Sequence, residues 1–273
     1  MPQTINTNIA SINSQRNLSA SQASLTTSME RLSSGLRVNS AKDDAAGLAI
    51  AERMNSQVRG MNVAIRNAND GISLMQTAEG AISKVGDMLQ RMRELAVQSA
   101  NATNTTDDRA NLDAEFQQLS QEVTRTALNS KFNGVAVIGS GAASLAYQVG
   151  ANNTDQVTVT TANAATITST VTAGNITSAA NASAAMANID TALNAINTER
   201  ALYGAAQNRF EAIISTLQVS AENVASARGR IMDADFATET ANLSRAQILQ
   251  QAGTAMLAQA NQLPQQVLQL LRG

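Results

Sequence analysis

An unbroken 3,4 heptad between Met186 and Ile231 constrains this chain more than any other feature. Of its 14 core positions 11 are apolar, and the exceptions are Arg200, Gln207 and Arg228. Such a match predicts one long helix. At about 1.5 Å per residue this helix would span roughly 70 Å, whereas a compact globule of this chain length is about 50 Å across. We therefore expect an elongated molecule.

Two further segments show helical periodicity. One runs from Met61 to Ala96 and slips in phase once, between Ile72 and Ala78. The other follows the sequence TTDD, which is typical of a capped helix start. Its apolar face would consist of Leu112, Phe116, Leu119 and Val123. The predicted fold class is mainly α, an elongated antiparallel helical bundle or coiled coil.

A different pattern separates the two helical halves. The stretch KFNGVAVIGSGAASLAYQVGANNTDQVTVTTANAATITSTVTAG alternates Val, Thr and Ile with clusters of Gly and Asn. This pattern predicts short strands or hairpins joined by turns. We expect a small β-hairpin region at about 131–182, inserted between the N- and C-terminal helical halves.

Composition excludes several classes of function. The 273 residues include no Cys and no His, which excludes thiolate or imidazole catalysis and ordinary zinc sites. The net charge of −2 gives no basic surface for nucleic acid. No stretch of about 18 apolar residues could cross a membrane, and MPQTINTNIA lacks the features of a signal peptide. We predict no enzymatic activity, cofactor, metal, nucleic acid partner or membrane insertion.

Both terminal segments are amphipathic and poor in charge. Residues 1–40 contain one acid, Glu30, and no acid follows Glu239. Unpaired buried charges cost several kcal/mol, so helices surrounded by other helices avoid them. The segments either pack among many copies of the chain or pair within a monomeric bundle. The apolar stripes that would make this packing consist of Ile5, Ile9, Ile12, Leu18, Leu25, Met29, Leu32 and Leu36 at the start, and Leu249, Met256, Leu263, Val267 and Leu270 at the end.

Five sequence stretches, in order, resemble those of bacterial flagellin. INTNIASINSQRNL and RLSSGLRVNSAKDDAAGLAIAERM are similar to the N-terminal signature of the family. LQRMRELAVQSAN and FNG follow, and ARGRIMDADFATETANLSRAQILQQAGTAMLAQANQLPQQVLQLL is similar to its C-terminal signature. The resemblance implies a filament subunit for swimming motility. It also implies unfolded export through the flagellar type III apparatus, and folding at the filament tip by packing of the terminal helices.

The resemblance also implies a domain organisation. Residues 1–40 and 235–273 would form the inner filament core, and 41–234 a rod-like helical domain. The connector between them would contain Gly35, Ser40 and Asp43, with Gly35 ending the first helix and Ser40 and Asp43 opening the next. About 20 residues separate QVGANNTDQVTVTT from the returning helix near Ser183, which leaves no room for a large outer domain.

Partners follow from the same resemblance. The family implies a homopolymer of many copies, an export chaperone, and the filament cap and hook-filament junction proteins. The location would be the secreted, extracellular flagellar filament. The segment QRMRELAVQSAN resembles the part of flagellin that Toll-like receptor 5 binds; the corresponding residues are Arg91, Glu94, Leu95 and Gln98, with Glu115 on the next helix. A purely structural interpretation treats Arg91 and Glu94 as a solvated pair and Leu95 as part of the bundle or of a subunit contact.

Other classes of function remain as alternatives. A hook-filament junction protein shares flagellin-like ends and would form only short assemblies. An enzyme has no support, because no nucleophile or base arrangement is recognisable. A membrane-inserting secreted protein would need basic residues on the polar face of the last helix, which the sequence lacks.

Overall fold

The computed structural model describes residues 7–139, 144–163, 167–169 and 174–270, with the side chains of residues 139 and 263–270 left out. The chain divides into two compact units. Unit 1 combines Met1–Ser56 with Asn223–Gly273, and unit 2 is Gln57–Glu222. None of the helices in the described ranges is long and apolar enough to span a membrane.

Long helices dominate both halves of the chain, as the sequence predicts. Their bounds are α1 Ile9–Ser34, α2 Ala45–Ala100, α3 Thr106–Asn129, α4 Ala179–Met232 and α5 Phe236–Leu270. The heptad segment lies within α4, and α2 continues through the phase slip between Ile72 and Ala78. Proline does not interrupt these helices before Pro264, since the other proline is Pro2. The mainly α fold class is confirmed.

The N-terminal turn of α3 shows why the TTDD sequence starts a helix. The Thr105 side chain accepts a hydrogen bond from the backbone N–H of Asp108. In return the Asp108 carboxylate accepts one from the backbone N–H of Thr105, at 2.9 Å. This reciprocal capping box satisfies two donors that the first turn leaves free.

Short strands occupy the region between α3 and α4, as predicted. β1 (Lys131–Phe132) and β2 (Val135–Ala136) form an antiparallel hairpin whose turn residues, Asn133 and Gly134, both have positive φ. Asn and Gly are the residues that a two-residue turn of this kind favours. β4 (Ser144–Gln148) pairs antiparallel with β5 (Gln156–Thr160), and β3 (Ile138–Gly139) pairs parallel with β6 (Ala162–Asn163).

The core of unit 2 follows the predicted apolar faces. Met75, Ile82 and Leu89 of α2 are fully buried, and Phe116 of α3 and Phe210 of α4 pack in the same cluster. The pattern of apolar residues therefore identifies the buried faces of three helices.

Tyr203 connects α4 to the strands. Its hydroxyl accepts a hydrogen bond from the backbone N–H of Ala162, at 2.6 Å, and donates one to the carbonyl of Val137, at 3.3 Å. The phenol is fully buried, and this burial raises the pKa of Tyr203 to about 12. One side chain thus holds the segments that carry β3 and β6 against the helix.

Unit 1 has a much smaller apolar cluster. Val38, Ala51 and Met232 are its buried members, and Leu36 and Leu48 pack against them partly buried. The remaining helical packing of this unit is the pair formed by α1 and α5.

Candidate assembly surface

The first and last helices pack against each other as an antiparallel coiled coil. Contact positions alternate at spacings of three and four residues along each helix, so the pattern repeats every seven residues. All of these positions are buried or half-buried. We call this contact the terminal seam. It consists of Ser11, Ser14, Leu18, Ser21, Leu25, Ser28 and Leu32 of α1, and Glu239, Leu243, Ala246, Gln250, Gly253, Leu257 and Ala260 of α5.

Small residues let the two helices approach closely. A Cβ atom built on Gly253 would lie 3.3 Å from Cδ1 of Leu18 and 4.0 Å from its Cα. Ala246 and Ala260 are seven residues to either side of Gly253, and both are buried. Because a helix-to-helix distance depends on the side chains at the contact, this spacing fixes a short separation.

Polar side chains fix the alignment of the seam. The Asn8 amide donates to the carbonyl of Ala260 at 2.7 Å, and the Ser11 hydroxyl donates to Oδ1 of Asn261 at 2.8 Å. Further along, the Gln250 amide donates to the Gln22 side chain at 2.6 Å. These bonds specify the register, since a one-residue slip would break all of them at once.

One ion pair closes the other end of the seam. Nη1 of Arg31 lies 3.0 Å from Oε1 of Glu239, whose side chain is 7% exposed. The Asn242 amide donates to Oε2 of the same carboxylate at 3.0 Å. The hydrogen bond from Asn242, followed by that from Arg31, holds the pKa of Glu239 below its usual range. The carboxylate is therefore satisfied as an anion within the seam.

Large apolar side chains lie outside the terminal seam. Ile9 is 71% exposed, Ile248 is 65% exposed and Met256 is 63% exposed. Exposed large apolar side chains along this helix pair offer contacts for a partner. We call this set the outward apolar face: Ile9, Ile12, Met29, Phe236, Ile248, Leu249 and Met256.

A groove runs beside the terminal seam. Its volume is about 530 Å³, and small residues of α1, including Ala20, Ala23 and Ser24, form one wall. Asn242 and Arg245 of α5 line the opposite side. The groove is open and its lining also includes Arg31, Glu239 and Leu249, so it offers a partly polar surface to a side chain from another molecule.

The predicted terminal stripes divide between these surfaces. Leu18, Leu25 and Leu32 lie in the seam, whereas Leu36 belongs to the small cluster around Val38. The remaining described members, Ile9, Ile12, Met29, Leu249 and Met256, are exposed. Ile5 and the side chains of Leu263, Val267 and Leu270 lie outside what the structure describes.

The phase slip in the first stripe now has a structural explanation. The 3,4 spacing that contains Leu18 continues backwards through Ser14 and Ser11, not through Ile12 and Ile9. The isoleucines therefore belong to a second face of the same helix. In α5 the seam likewise contains Gly253, whereas the predicted apolar stripe contains Met256, which lies outside the seam.

Sequence reasoning missed the small seam residues. Glu239, Ala246, Gly253 and Ala260 repeat every seven residues and are four of the seven α5 positions in the terminal seam. A search for repeated small residues, in addition to large apolar ones, would have found this signal. The buried Glu239 could also have been suspected, because it is the last acid of the chain.

The connector adopts a defined turn. Gly35 ends α1 with φ of 71°, and its carbonyl accepts a hydrogen bond from the N–H of Ala234 at 3.0 Å. The Asp43 carboxylate accepts bonds from the backbone and the hydroxyl of Ser40, and the backbone bond is the larger cause of the lowered pKa of Asp43. Helix α2 begins later than Ser40 and Asp43 predict, because the Asp44 carboxylate accepts from the N–H of Gly47 at 2.8 Å.

The residues assigned to receptor contact lie in unit 2. Arg91 joins Glu94 of its own helix, at 3.0 Å, to Glu115 of α3, at 2.9 Å. Gln98 is exposed on the same helix, but Leu95 is 1% exposed and belongs to the core. Receptor contact of Leu95 stays a prediction, and its side chain packs within the core of unit 2. Leu95 lies on the apolar face of its helix, and burial of that face between helices stabilises the bundle.

Known proteins resemble this chain along almost its whole length. Residues 5–140 match the bacterial flagellin N-terminal helical region, and 186–271 match the bacterial flagellin C-terminal helical region. Flagellin of Halalkalibacterium halodurans is 47% identical, with 98% of this chain and 99% of that protein covered. The flagellar filament 33 kDa core protein of Treponema phagedenis is 42% identical, with 98% and 99% covered.

The resemblance extends to a solved structure. The crystal structure of Bacillus cereus flagellin superimposes with a TM-score of 0.51 and 31% identity, covering 60% of this chain and 94% of that chain. The family matches in sequence thus cover both helical halves, and the fold of a solved flagellin matches 60% of the chain. The chain belongs to the bacterial flagellin family.

Proposed function

We propose that this protein is the structural subunit that polymerises into the bacterial flagellar filament, and that it is not an enzyme. The observation that carries the proposal is the outward apolar face, seven large side chains left exposed on a helix pair whose own contact combines five leucines with small and polar residues. The relatives support it, since flagellins and a filament core protein match over 98% of the chain.

Burial of the outward apolar face would drive association. A fully buried Leu, Ile, Met or Phe side chain gains about 1.5–3 kcal/mol, so burial of the exposed half of seven such side chains would gain roughly 5–10 kcal/mol. Part of this gain offsets the loss of translational freedom and the ordering of side chains. Several neighbours per subunit would therefore be needed for stable growth.

The shape of unit 1 supports a contact between unlike surfaces. The apolar face projects side chains such as Ile248. The groove beside the seam is lined by Ala20, Ala23 and other small groups, but also by Arg31, Arg245 and Leu249, the last of which belongs to the apolar face as well. When a patch on one copy fits a different patch on the next, the assembly continues without closing. Such contacts produce a filament instead of a dimer.

We propose that residues 1–40 and 235–273 form the inner core of the filament and that 41–234 lie further out. The low charge of the ends supports this placement, because no acid follows Glu239. The connector with Gly35, Ser40 and Asp43 would join the two parts. The chain aligns with 99% of the H. halodurans relative, so a large outer domain is not expected in either protein.

Export and capping partners belong to the same proposal. A free subunit with an exposed apolar face would aggregate unless it is held unfolded or covered. This liability favours an export chaperone on the C-terminal segment, passage through the type III apparatus, and folding beneath the filament cap. The first subunits would contact hook-filament junction proteins, and the finished filament would be extracellular.

Receptor recognition of the free subunit is a separate part of the proposal. Arg91, Glu94, Gln98 and Glu115 are exposed on α2 and α3 and could contact Toll-like receptor 5. Replacement of Arg91 by Ala would remove the guanidinium that joins two carboxylates, and receptor binding should fall. An equivalent change at the Arg125–Glu122 pair on α3 provides a matched control. Equal loss in both variants would contradict the assignment.

The hook-filament junction alternative is not favoured. The curated relatives with at least 40% identity over nearly the full chain include proteins named flagellin and filament core protein. A junction protein would also stop at short assemblies, whereas the proposal requires long ones.

The decisive experiment is seeded polymerisation followed by electron microscopy. The full chain is compared with a version that lacks residues 1–40 and 240–273, and hydrogen exchange is measured before and after assembly. We expect long tubes only from the full chain, with protection gained in both terminal helices. Polymerisation of the truncated chain, or a full chain that stays monomeric with protected ends, would refute the mechanism.

A further inference from the structure

Methionine side chains are distributed unevenly between the core and the outward apolar face. Nine of the ten methionines lie within the described residues. Met61, Met75, Met92 and Met232 are buried, and Met54, Met88 and Met186 are half-buried. Met29 and Met256, which are 48% and 63% exposed, are the two exposed methionines of the described chain. Both lie on the terminal helices, and both belong to the outward apolar face.

We propose that Met29 and Met256 are oxidation sites of the free subunit, and that their oxidation by hydrogen peroxide blocks assembly. This inference rests on the proposed filament function. It adds a modification site to the assembly surface, and it predicts that the subunit does not assemble after exposure to peroxide. The oxidant is peroxide, a small neutral molecule that reaches any solvent-exposed thioether.

The reaction is balanced within the two named reactants. The thioether sulfur attacks one oxygen of hydrogen peroxide, the O–O bond breaks and an S–O bond forms. Proton transfer releases the second oxygen as water. Sulfur loses two electrons and becomes a sulfoxide, while the peroxide is reduced. No metal or further reductant is needed for this step.

Oxidation changes the surface at the place where assembly needs it apolar. A sulfoxide is polar and accepts hydrogen bonds, whereas the thioether is a flexible apolar group that adapts to a packing partner. Met256 stands seven residues after Leu249, so its sulfoxide would interrupt an apolar row on α5. Burial of the new polar group without a donor is unfavourable.

The folded subunit should tolerate the same modification. Neither sulfur lies in the terminal seam, whose apolar members are leucines and alanines. The buried methionines of unit 2, such as Met75 and Met92, are enclosed by the core and should react slowly. Oxidation would therefore mark the unassembled subunit and leave its fold intact. Within a filament, the neighbouring copy would cover both sulfurs.

Peroxide footprinting of the full chain tests this inference. Monomer and filament are treated with hydrogen peroxide, and peptide mass spectrometry measures oxidation at each methionine. In the monomer, Met29 and Met256 should react at least about tenfold faster than Met75 and Met92. In the filament their rates should fall at least about fivefold, since assembly buries them. Equal rates in monomer and filament would overturn the proposal.

Seeded growth supplies the functional measurement. Oxidised monomer should elongate seeds at least about tenfold more slowly than untreated monomer. The double variant Met29→Leu/Met256→Leu keeps an apolar side chain at both positions and should elongate normally after peroxide treatment. The matched control Met54→Leu/Met186→Leu replaces two half-buried methionines outside the face and should remain sensitive.

The outcomes separate this inference from the filament proposal. If untreated wild-type chain does not polymerise, the filament function itself fails. If wild-type chain polymerises and peroxide-treated chain grows equally fast, only the oxidation inference fails. If the leucine variant assembles poorly without peroxide, the footprint of the wild-type chain still decides whether both sulfurs are covered in the filament.

Discussion

Replacement of Gly253 by Leu should open the terminal seam. A Cβ at this position would already lie 3.3 Å from Cδ1 of Leu18 and 4.0 Å from Cα of Leu18. The three further carbon atoms of a leucine would point at the backbone of α1, where the helices leave no space. The helices would have to separate locally, which weakens the hydrogen bond between Gln22 and Gln250 and the packing of Leu18.

Two opposing contributions set the size of this effect. Overpacking of a contact without free volume costs about 1–3 kcal/mol, and separation of the helices adds the loss of neighbouring contacts. The helix propensity of leucine returns about 0.8 kcal/mol relative to glycine. We expect a net destabilisation of the terminal helix pair by about 1–3 kcal/mol. Ala at the same position adds only the Cβ, which the flexible end of Leu18 can avoid, so Gly253→Ala should be nearly neutral.

Hydrogen exchange of α1 and α5, together with the rate of seeded growth, measures this effect. The control is Gly80→Leu, because a Cβ at Gly80 meets nothing within 4 Å. That variant should be slightly stabilised by helix propensity and should polymerise normally. If Gly253→Leu retains wild-type protection in both terminal helices and grows at the wild-type rate, the close approach at Gly253 does not determine the seam.

The other predictions concern the exposed face, the Tyr203 contacts and the seam carboxylate. Leu249→Ser should leave the free energy of unfolding of the monomer within about 0.5 kcal/mol of wild type, because the side chain is exposed, but should slow seeded growth strongly. Leu257→Ser, in the seam, should lower both the free energy of unfolding and the rate of seeded growth. Tyr203→Phe should lower the free energy of unfolding of unit 2 by about 2 kcal/mol in urea titrations, because the buried N–H of Ala162 loses its acceptor. The raised pKa of Tyr203 means that the neutral phenol stabilises the fold below its unfolded pKa, near 10. This contribution should be lost as pH rises from there through about 12, followed by circular dichroism. The pKa of Glu239 is lowered, so this carboxylate stabilises the fold above its unfolded pKa and the stabilisation should be lost in acid. Glu239→Gln should therefore make hydrogen exchange in α5 less dependent on pH in the acid range. Unchanged alkaline or acid profiles in Tyr203→Phe or Glu239→Gln, relative to wild type, would contradict the two assignments.

Sequence periodicity was sufficient for the core of unit 2. The 3,4 spacing through Ile189, Ile196, Tyr203 and Phe210 predicts one buried face of α4, and all four residues are buried. Long helices with many apolar repeats leave little ambiguity about which face turns inward. The Asn133–Gly134 turn was equally readable, because few residues adopt positive φ at low cost.

The same rule was insufficient for the terminal helices. It identifies Met256 and Leu249 as residues that should be buried, but it does not say whether the same chain or another copy covers them. The seam instead uses Ala246, Gly253 and Ala260, whose low hydrophobicity gives a weak signal. Their short side chains matter through the distance they permit between helices, a property that appears only once the partner helix is known.

The distribution of residue sizes explains how one helix pair can serve folding and assembly. The seam contains five leucines, but its other nine positions are small or polar residues, so it buries less apolar area than a seam of large apolar side chains would and contributes modest stability to a lone subunit. The larger side chains, among them Ile9, Ile248 and Met256, remain exposed for contacts with further copies. If these side chains lined the seam instead, the free subunit would be more stable and its outer surface would gain less from association. The arrangement therefore couples the ordering of the chain ends to growth of the filament, which is the dependence that the variants at Gly253, Leu249 and Leu257 separate.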